Sequence, residues 1–153
     1  MRRLRDPVLR LAFRVGYQVL RVWWQLVHPR NSGVKCVLTR NGEILLVRHT
    51  YGGRRRRWEL PGGGIKRREE PGQAARREIR EELGIDVDDW TLLGEVFARI
   101  DGKRDRLWCF RSEIGDRPLE LDPAEIADAQ WFSRDRLPSR TAKHVDRIAA
   151  MSR

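Results

Sequence analysis

The sequence predicts an α/β (α+β) layered domain with a separate helix at its N-terminus. Runs typical of strands alternate with isolated helical stretches, which favours a mixed architecture over an all-α or all-β one. The chain has 153 residues, a length that suits one domain with an appendage. Residues 1–30 differ in composition from residues 31–153, so we place the domain boundary between them.

The N-terminal segment is predicted to form an amphipathic helix over residues 6–28. Its polar side chains recur every three or four residues and form one narrow stripe: Arg10, Arg14, Gln18, Arg21 and Gln25. Three interpretations stay open: the helix packs on the main domain or on a second copy, it lies at a membrane surface, or it is a targeting segment. The arginines argue against a transmembrane span and against a secretory signal.

The next two strands are predicted to form a hairpin. Gly33 to Arg40 contains β-branched and apolar residues, and Asn41-Gly42 is a strong turn signal. Glu43 to His49 returns with a nearly continuous apolar middle, which indicates burial on both faces.

A helix is predicted from about Pro71 to Leu83, with Gly84 as its C-cap. It follows a glycine-rich loop. The remaining predicted elements are strands at Thr91–Ile100, Arg106–Ser112 and about Ala129–Phe132, and a final helical stretch from Pro138 to about Met151.

The charge is strongly positive, with a formal net value of +10, and 28 of the 32 basic residues are arginine. This excess indicates an anionic partner: nucleic acid, a phosphorylated small molecule or a lipid surface. Residues 1–30 carry seven arginines and one acid, so most of the excess belongs to the predicted N-terminal helix. The charge therefore disfavours nucleic acid as the partner of the main domain.

The cysteine content excludes a disulfide scaffold and a zinc site built only from cysteines. Cys36 and Cys109 both lie in apolar, strand-like stretches. They are expected to be small buried hydrophobes in a reducing compartment. We therefore expect a cytoplasmic location, with peripheral contact at the membrane if the N-terminal helix binds lipid.

Clustered carboxylates on the central helix indicate a metal site. Glu78, Glu81 and Glu82 are three and four residues apart, so they share one helix face and need a compensating charge. Glu69 lies just upstream, and the glycines of residues 61–64 let the backbone pass close to a ligand. A hard divalent cation such as Mg²⁺ is a natural counterion. The alternative is a solvated, salt-bridged surface.

These residues match the complete signature of the Nudix hydrolases. The match consists of Gly63, five residues, Glu69, seven residues, and then the run Arg77–Ile85. The flanking pattern is similar over about residues 33–150. The resemblance implies a Nudix-type α/β/α sandwich around a mixed β-sheet. It also implies hydrolysis of a nucleoside diphosphate linked to another moiety, such as a nucleoside triphosphate or a nucleotide sugar, with Mg²⁺ or Mn²⁺ as cofactor.

The resemblance also implies roles for individual residues. The metal ligands are expected to be Glu78, Glu81, Glu82 and the Gly63 carbonyl. Glu78, Glu81 and Arg77 are expected to act in catalysis, with Arg77 orienting a carboxylate, most simply that of Glu69. Glu69 and Gly84 are the structural members of the motif. The general base varies across the family, and the candidates here are Glu125 and Glu120.

Arginines and aromatic residues near the motif are candidates for substrate binding, because arginine forks suit phosphate. The candidates are Arg48, Arg54, Arg57 and Trp58. Trp108, Phe97 and Tyr51 are candidates for stacking on a nucleobase, although aromatic residues in strands are more often core. His49 is considered as a base, but a histidine at a strand end is usually structural.

The resemblance has one departure, and several marks of its subfamilies are absent. Arg68 occupies a position that is often glycine, so the loop shape is in doubt. A proline typical of ADP-ribose-specific members, a tyrosine typical of diadenosine-polyphosphate members and the coenzyme A signature are missing. Two alternatives to the hydrolase stay open: a Nudix-fold module that binds nucleic acid or membrane, and an RNA 5′-end pyrophosphohydrolase.

Overall fold

A computed structural model of the chain describes residues 32–50, 57–100 and 103–152. These residues lie in the second of two units into which the chain divides, residues 31–153. The predicted helix over residues 6–28 and the candidate residues Tyr51 and Arg54 lie outside the described residues.

The described part of the chain contains five strands and two helices. They are β1 (Ser32–Arg40), β2 (Glu43–His49), α1 (Pro71–Leu83), β3 (Thr91–Ile100), β4 (Lys103–Glu113), β5 (Ile126–Ser133) and α2 (Lys143–Met151). The strands form one mixed sheet in the order β3-β4-β1-β2-β5. β1 runs parallel to β4, whereas the pairs β1–β2, β2–β5 and β3–β4 are antiparallel.

The sheet divides into a fork at its centre. β1 and β2 pair only beside their turn, at Thr39↔Ile44 and Arg40↔Glu43. Beyond those pairs an irregular segment, residues 58–65, enters between the two strands and is called the insert here. It exchanges both backbone hydrogen bonds with Val47 of β2, through Glu59, at 2.8 and 2.9 Å. On its other side it accepts bonds from β1, so the strands spread apart without leaving their backbone groups unpaired.

The two helices cover opposite faces of the sheet, which confirms the predicted three-layer sandwich. Apolar residues of α1, among them Ile79 and Leu83, pack with β1, β2 and β4 in one cluster, called the α1 cluster here. Val145 and Ile148 of α2 pack in a second cluster on the other face, called the α2 cluster. A single sheet with two apolar faces explains why β2 reads as a continuous apolar run.

The sequence fully anticipates α1. Pro71 stands at its first turn, where the missing N–H is harmless, and Gln73 Oε1 accepts a 3.1 Å bond from the backbone N–H of Glu70, the N-cap. Gly84 ends the helix in the left-handed region, at φ 67°.

Three predicted boundaries differ from the structure. β4 starts at Lys103 rather than Arg106, because Lys103 pairs with Ile100 across the hairpin despite its charge. β5 starts at Ile126 rather than about Ala129 because it pairs along most of β2. α2 begins at Lys143 rather than at Pro138, because the preceding residues bond to the insert instead.

Both cysteines are buried and unbridged, as predicted. Burial raises the pKa of Cys109 to about 11, so its thiol is neutral at physiological pH. Among the described helices none is long and apolar enough to cross a membrane.

Candidate active site

The predicted carboxylates lie where α1 faces the insert. Glu78 and Glu82 are 5% and 2% exposed, so α1 turns both into the α1 cluster rather than toward solvent. Glu82 Oε2 accepts a 2.9 Å hydrogen bond from the backbone N–H of Gly62. Burial, and after it the charge of Glu82, raise the pKa of the Cys36 thiol on β1. The solvated-surface alternative is therefore wrong for Glu78 and Glu82.

The glycines of the insert are required by close approach. A Cβ on Gly62 would lie 2.4 Å from the carbonyl oxygen of Val34, and Gly62 has φ +125°, which side chains rarely adopt. A Cβ on Gly63 would lie 2.6 Å from all three carboxyl atoms of Glu78. Only glycine therefore lets the backbone of the insert touch β1 on one side and the carboxylates on the other.

Arg77 links three of the four predicted carboxylates. Its Nε and Nη2 donate to the two oxygens of Glu69 at 2.7 and 2.9 Å, a bidentate pair. Its Nη1 donates to Glu78 Oε1 at 2.7 Å and to Glu81 Oε2 at 3.2 Å. Nη2 also donates to the carbonyl oxygen of Gly64 at 2.9 Å, which fastens the insert to α1. The expected orientation of Glu69 by Arg77 is present.

The electrostatics of this pair follow from its bonds. Burial raises the pKa of Glu69, but the hydrogen bonds and charge of Arg77 outweigh burial and hold that pKa below its ordinary value. Burial acts to lower the pKa of Arg77, and its bonds to Glu69 and Glu78 reverse this effect and raise it. Both groups are therefore charged at neutral pH.

The loop that carries Glu69 contains the departure from the family pattern, Arg68. Arg68 has φ +63°, the left-handed conformation that glycine adopts without strain. Lys66 N–H donates to Glu69 Oε2 at 2.7 Å, and Glu69 N–H donates back to the Lys66 carbonyl at 3.1 Å. Arg68 thus adopts a strained conformation at a position where glycine is common in the family.

The donor set fits a divalent cation by its chemistry. Two cations lie beside the four carboxylates of Glu69, Glu78, Glu81 and Glu82. They are Arg77 and Lys66, and the Lys66 Nζ is 3.8 Å from Glu81 Oε1. These six side chains together have a formal net charge of −2. Carboxylate oxygens are the ligands that Mg²⁺ prefers.

The side chains do not stand in a closed coordination sphere. Within residues 32–50, 57–100 and 103–152, no three His, Cys, Asp or Glu side chains come close enough together to hold a metal ion. Nη1 of Arg77 instead stands between Glu78 and Glu81. The Gly63 carbonyl, predicted as a ligand, accepts a 2.8 Å bond from the N–H of Val34.

The two candidates for the general base differ in burial. Both belong to the loop before β5, which lies along the end of α1 through bonds from Glu120 N–H to Leu83 O and from Asp122 N–H to Glu82 O, at 2.9 and 3.1 Å. Glu125 is 2% exposed, and its carbonyl accepts a bond from Thr50 at the end of β2. Glu120 is exposed. The structure therefore separates the two candidates, which the sequence did not.

Two predicted substrate ligands lie on the other face of the sheet. Trp58 packs with the α2 cluster, and its ring meets that of Phe132 edge to face at 5.0 Å. The Arg48 guanidinium lies 4.9 Å from the Trp58 ring centroid, and its Nη2 donates to Asp128 at 2.7 Å. Arg57 is exposed. Arg48 and Trp58 are thus structurally paired with each other, but the sheet separates them from α1.

A buried charged cluster within the fork was not anticipated. Lys35 Nζ, on β1, donates to the Leu60 carbonyl at 2.9 Å and to Glu59 Oε2 at 3.2 Å. His49 Nε2 lies 4.0 Å from the same Glu59 oxygen, and all three charged or titratable side chains are at most 5% exposed. The signal was available as one lysine inside an otherwise apolar strand. His49, considered above as a base, is thus buried within this cluster.

Comparison with known proteins gives a consistent family. The NUDIX domain family model matches residues 29–151. An RNA pyrophosphohydrolase from Bartonella bacilliformis is 32% identical over 139 residues, which cover 72% of this chain and 82% of that protein. An ADP-ribose pyrophosphatase from Mycobacterium tuberculosis is 47% identical over 60 residues, which cover 37% of this chain and 28% of that protein.

The fold is also found among solved structures. The crystal structure of a MutT NUDIX hydrolase from Burkholderia pseudomallei superposes with a TM-score of 0.73 at 28% identity. The match covers 82% of this chain and 99% of that one.

Proposed function

The chain belongs to the Nudix family, whose members are hydrolases of phosphoric anhydride bonds, and we propose that it is a metal-dependent pyrophosphohydrolase of nucleoside diphosphates linked to another moiety. The observation that carries this proposal is the pair of buried carboxylates, Glu78 and Glu82, held by α1 against the glycines of the insert. Arg77 is shared among Glu69, Glu78 and Glu81, so it balances only part of the negative charge of this cluster. With Lys66 counted, four carboxylates face two cations, and a divalent metal ion would balance the remaining formal charge of −2.

In this proposal Glu78, Glu81 and Glu82 would hold Mg²⁺ or Mn²⁺. When bound, the ion supplies charge neutralisation on the diphosphate and activates the attacking water. Arg77 acts from the same helix: its fork fixes Glu69 and Gly64, and its Nη1 orients Glu78 and Glu81. The Gly62 N–H fixes the Glu82 oxygen that it binds.

Glu125 is proposed as the general base. It is a carboxylate at the end of the loop that lies along α1, and it is only 2% exposed. A carboxylate in that position accepts the proton of the attacking water. Glu120 shares the loop but is exposed, so it is not proposed for this role.

The experiment is a panel of nucleoside triphosphates, nucleotide sugars and ADP-ribose with Mg²⁺, comparing the native chain with three single variants. We expect Glu82→Gln to lower kcat/KM on the order of 100-fold or more, because it removes a charge from the reacting centre. Glu125→Gln is expected to lower kcat by about 10²–10⁴, the usual contribution of a general base. Glu120→Gln is the matched control and is expected to retain native activity.

Two results would contradict the proposal. If the native chain hydrolyses no nucleoside diphosphate derivative, the enzyme assignment fails and the binding-module alternative gains support. If Glu82→Gln is as active as Glu120→Gln, the metal-holding role of α1 fails.

A second candidate substrate is the 5′ end of RNA. It is favoured by the relative from Bartonella bacilliformis, an RNA pyrophosphohydrolase of which this chain covers 82%. The same panel with a 5′-triphosphorylated RNA tests it directly, because a nucleoside triphosphatase without RNA activity releases no pyrophosphate from that substrate.

For residues 1–30 we propose an appendage that contacts an anionic lipid surface or a second copy, outside the hydrolase domain of residues 31–153. Its support is the concentration of arginines there. Deleting residues 1–30 is expected to leave hydrolysis intact and to lower vesicle binding or the oligomeric mass. If neither vesicle binding nor mass changes, the proposed contact is wrong.

A further inference from the structure

One face of the β3–β4 hairpin presents arginines paired with aromatic rings. The register places Glu95 opposite Trp108, Phe97 opposite Arg106, and Arg99 opposite Arg104. Residues directly opposite on antiparallel strands point to the same face. Trp108 packs against the α1 cluster, so this face is the one that α1 covers farther along the sheet. We call the six residues the β3–β4 face.

The rings and guanidinium groups of this face are in contact. The Arg104 guanidinium lies 5.4 Å from the Phe97 ring centroid, and that of Arg106 lies 4.9 Å from the Trp108 ring centroid. Glu95 binds Arg106 in a bidentate pair, which holds the guanidinium over the ring. Planar guanidinium groups and aromatic rings are the surfaces on which unstacked bases stack.

The β3–β4 face is open to solvent. Phe97 is 54% exposed, although apolar residues of its size usually pack away from water. Arg99, Arg104 and Arg106 are exposed as well. β3 is at the edge of the sheet, so no described strand pairs with its outer side.

The face is continuous with the residues of the candidate active site. Arg106 and Trp108 pair with Ser32 and Val34 of β1. The same two β1 residues bond to the insert, through Ile65 N–H at 3.3 Å and the Gly63 carbonyl at 2.8 Å. From the insert to β4 is thus two strand spacings, or about 10 Å, and β3 is one spacing farther. A short single-stranded segment spans that distance.

The charge of the face selects its occupant. The β3–β4 face contains three arginines and one glutamate, so its net positive charge favours a partner with negative charge. A second copy that met this face through its own β3–β4 face would bring like charge. A lipid headgroup supplies the negative charge but no planar group for the rings. A single-stranded nucleic acid supplies both.

We propose that the β3–β4 face binds the single-stranded chain of an RNA whose 5′ end reaches the carboxylates of α1. The placement of the RNA 5′ end at the carboxylates rests on the proposed function, whereas binding of the RNA strand to this face does not. Bases stack on Phe97 and on the guanidinium groups, and the phosphates pair with Arg99 and Arg104. This face explains how one site accepts a polymer: the nucleotides behind the reacting end bind beside the insert.

The test measures RNA binding apart from hydrolysis. Fluorescence anisotropy in EDTA, with a labelled 12-nucleotide RNA that carries a 5′ hydroxyl, compares the native chain with Phe97→Ala and Arg104→Gln. Phe97→Ala is expected to weaken binding about tenfold, the loss of one stacked base. Arg104→Gln is expected to weaken it and to reduce the slope of log affinity against log salt by about 0.7, the value for one phosphate contact on a single strand.

Matched controls come from the same chain. Leu92→Ala removes a side chain that is 52% exposed near the opposite end of β3. Arg136→Gln removes an exposed arginine outside the face. Both are expected to bind RNA like the native chain, and urea midpoints confirm that all variants fold. With Mg²⁺, Phe97→Ala is expected to raise KM for 5′-triphosphorylated RNA by a larger factor than it raises KM for a nucleoside triphosphate, because only the RNA extends along the β3–β4 face.

Three results overturn the proposal: no RNA binding by the native chain, equal binding by Phe97→Ala and Leu92→Ala, or a lower oligomeric mass in Phe97→Ala, which would make the face an interface between copies. Loss of vesicle binding in Phe97→Ala with unchanged RNA binding would also overturn it. If the native chain binds RNA through this face but hydrolyses nothing, the proposed function fails and the binding proposal stands.

Discussion

Replacing Arg77 with methionine removes the group that joins α1, the insert and the Glu69 loop. The side chain is 18% exposed, and its carboxylate partners Glu69 and Glu78 are 13% and 6% exposed. Methionine retains much of the aliphatic stem, so the substitution chiefly deletes the charge and its five hydrogen bonds.

The magnitude follows from which partners are left behind. Removing one member of a buried ion pair costs about 3–5 kcal/mol, because the other charge stays in a poorly solvated place. Glu69 relaxes partly toward water because its loop is at the surface, whereas Glu78 is held by the helix. We therefore expect the lower end, a loss of about 3 kcal/mol in the free energy of unfolding. For a domain of this size that corresponds to a fall in Tm of about 10 °C.

The assay is urea unfolding at pH 7 in EDTA, followed by circular dichroism, with Arg80→Met as the control. Arg80, on the same helix as Arg77, makes an ion pair with Asp86, which lies beyond the end of that helix. Those two side chains are 66% and 67% exposed, so loss of the pair costs at most about 1 kcal/mol. If Arg77→Met loses no more stability than Arg80→Met, the view that Arg77 holds the site together is refuted.

Two further predictions concern the loop beside Arg77. Arg68 is held at φ +63°, so Arg68→Gly is expected to raise the free energy of unfolding by about 0.5–1 kcal/mol, because the relieved left-handed strain exceeds the entropy cost of glycine. The control, Arg67→Gly, is not expected to stabilise the protein. If both variants change the urea midpoint equally, there is no strain at residue 68. The lowered pKa of Glu69 means that its bond to Arg77 contributes its full stability above the ordinary glutamate pKa of about 4.3 and loses it as the pH falls through the lower folded value. The native chain is therefore expected to have a larger free energy of unfolding than Glu69→Gln at pH 7, and this difference is expected to be smaller at pH 3. A difference that does not change with pH would contradict this linkage.

Most of the fold was predictable because local signals agree with the tertiary structure. Proline, the glycine C-cap and the spacing of apolar residues define α1, and Asn41-Gly42 defines the first turn, where both residues have positive φ. The boundaries that failed depend on distant partners. α2 starts late because residues 140–142 bond to Trp58, a contact that no local pattern reports.

The candidate site was likewise predictable from the sequence only in part. The spacing of Glu78, Glu81 and Glu82 places them on one helix face, but it does not report that Glu81 is exposed while the other two are buried. Nor does it place Arg48 and Trp58 on the opposite side of the sheet. That placement follows from the fork, which no short sequence pattern encodes because it is formed by segments far apart in the chain.

The fork also determines whether the motif would work if it were transferred to another protein. The signature from Gly63 to Ile85 is contiguous, yet the backbone that receives it is not: β1 is completed by β4, whose paired residues are 74 positions away, as in Ser32↔Arg106. The motif is therefore a local sequence whose scaffold depends on contacts between segments far apart in the chain, a feature that slows folding. Transplanted alone into another protein, those residues would bring the carboxylates without the split sheet edge that orients them.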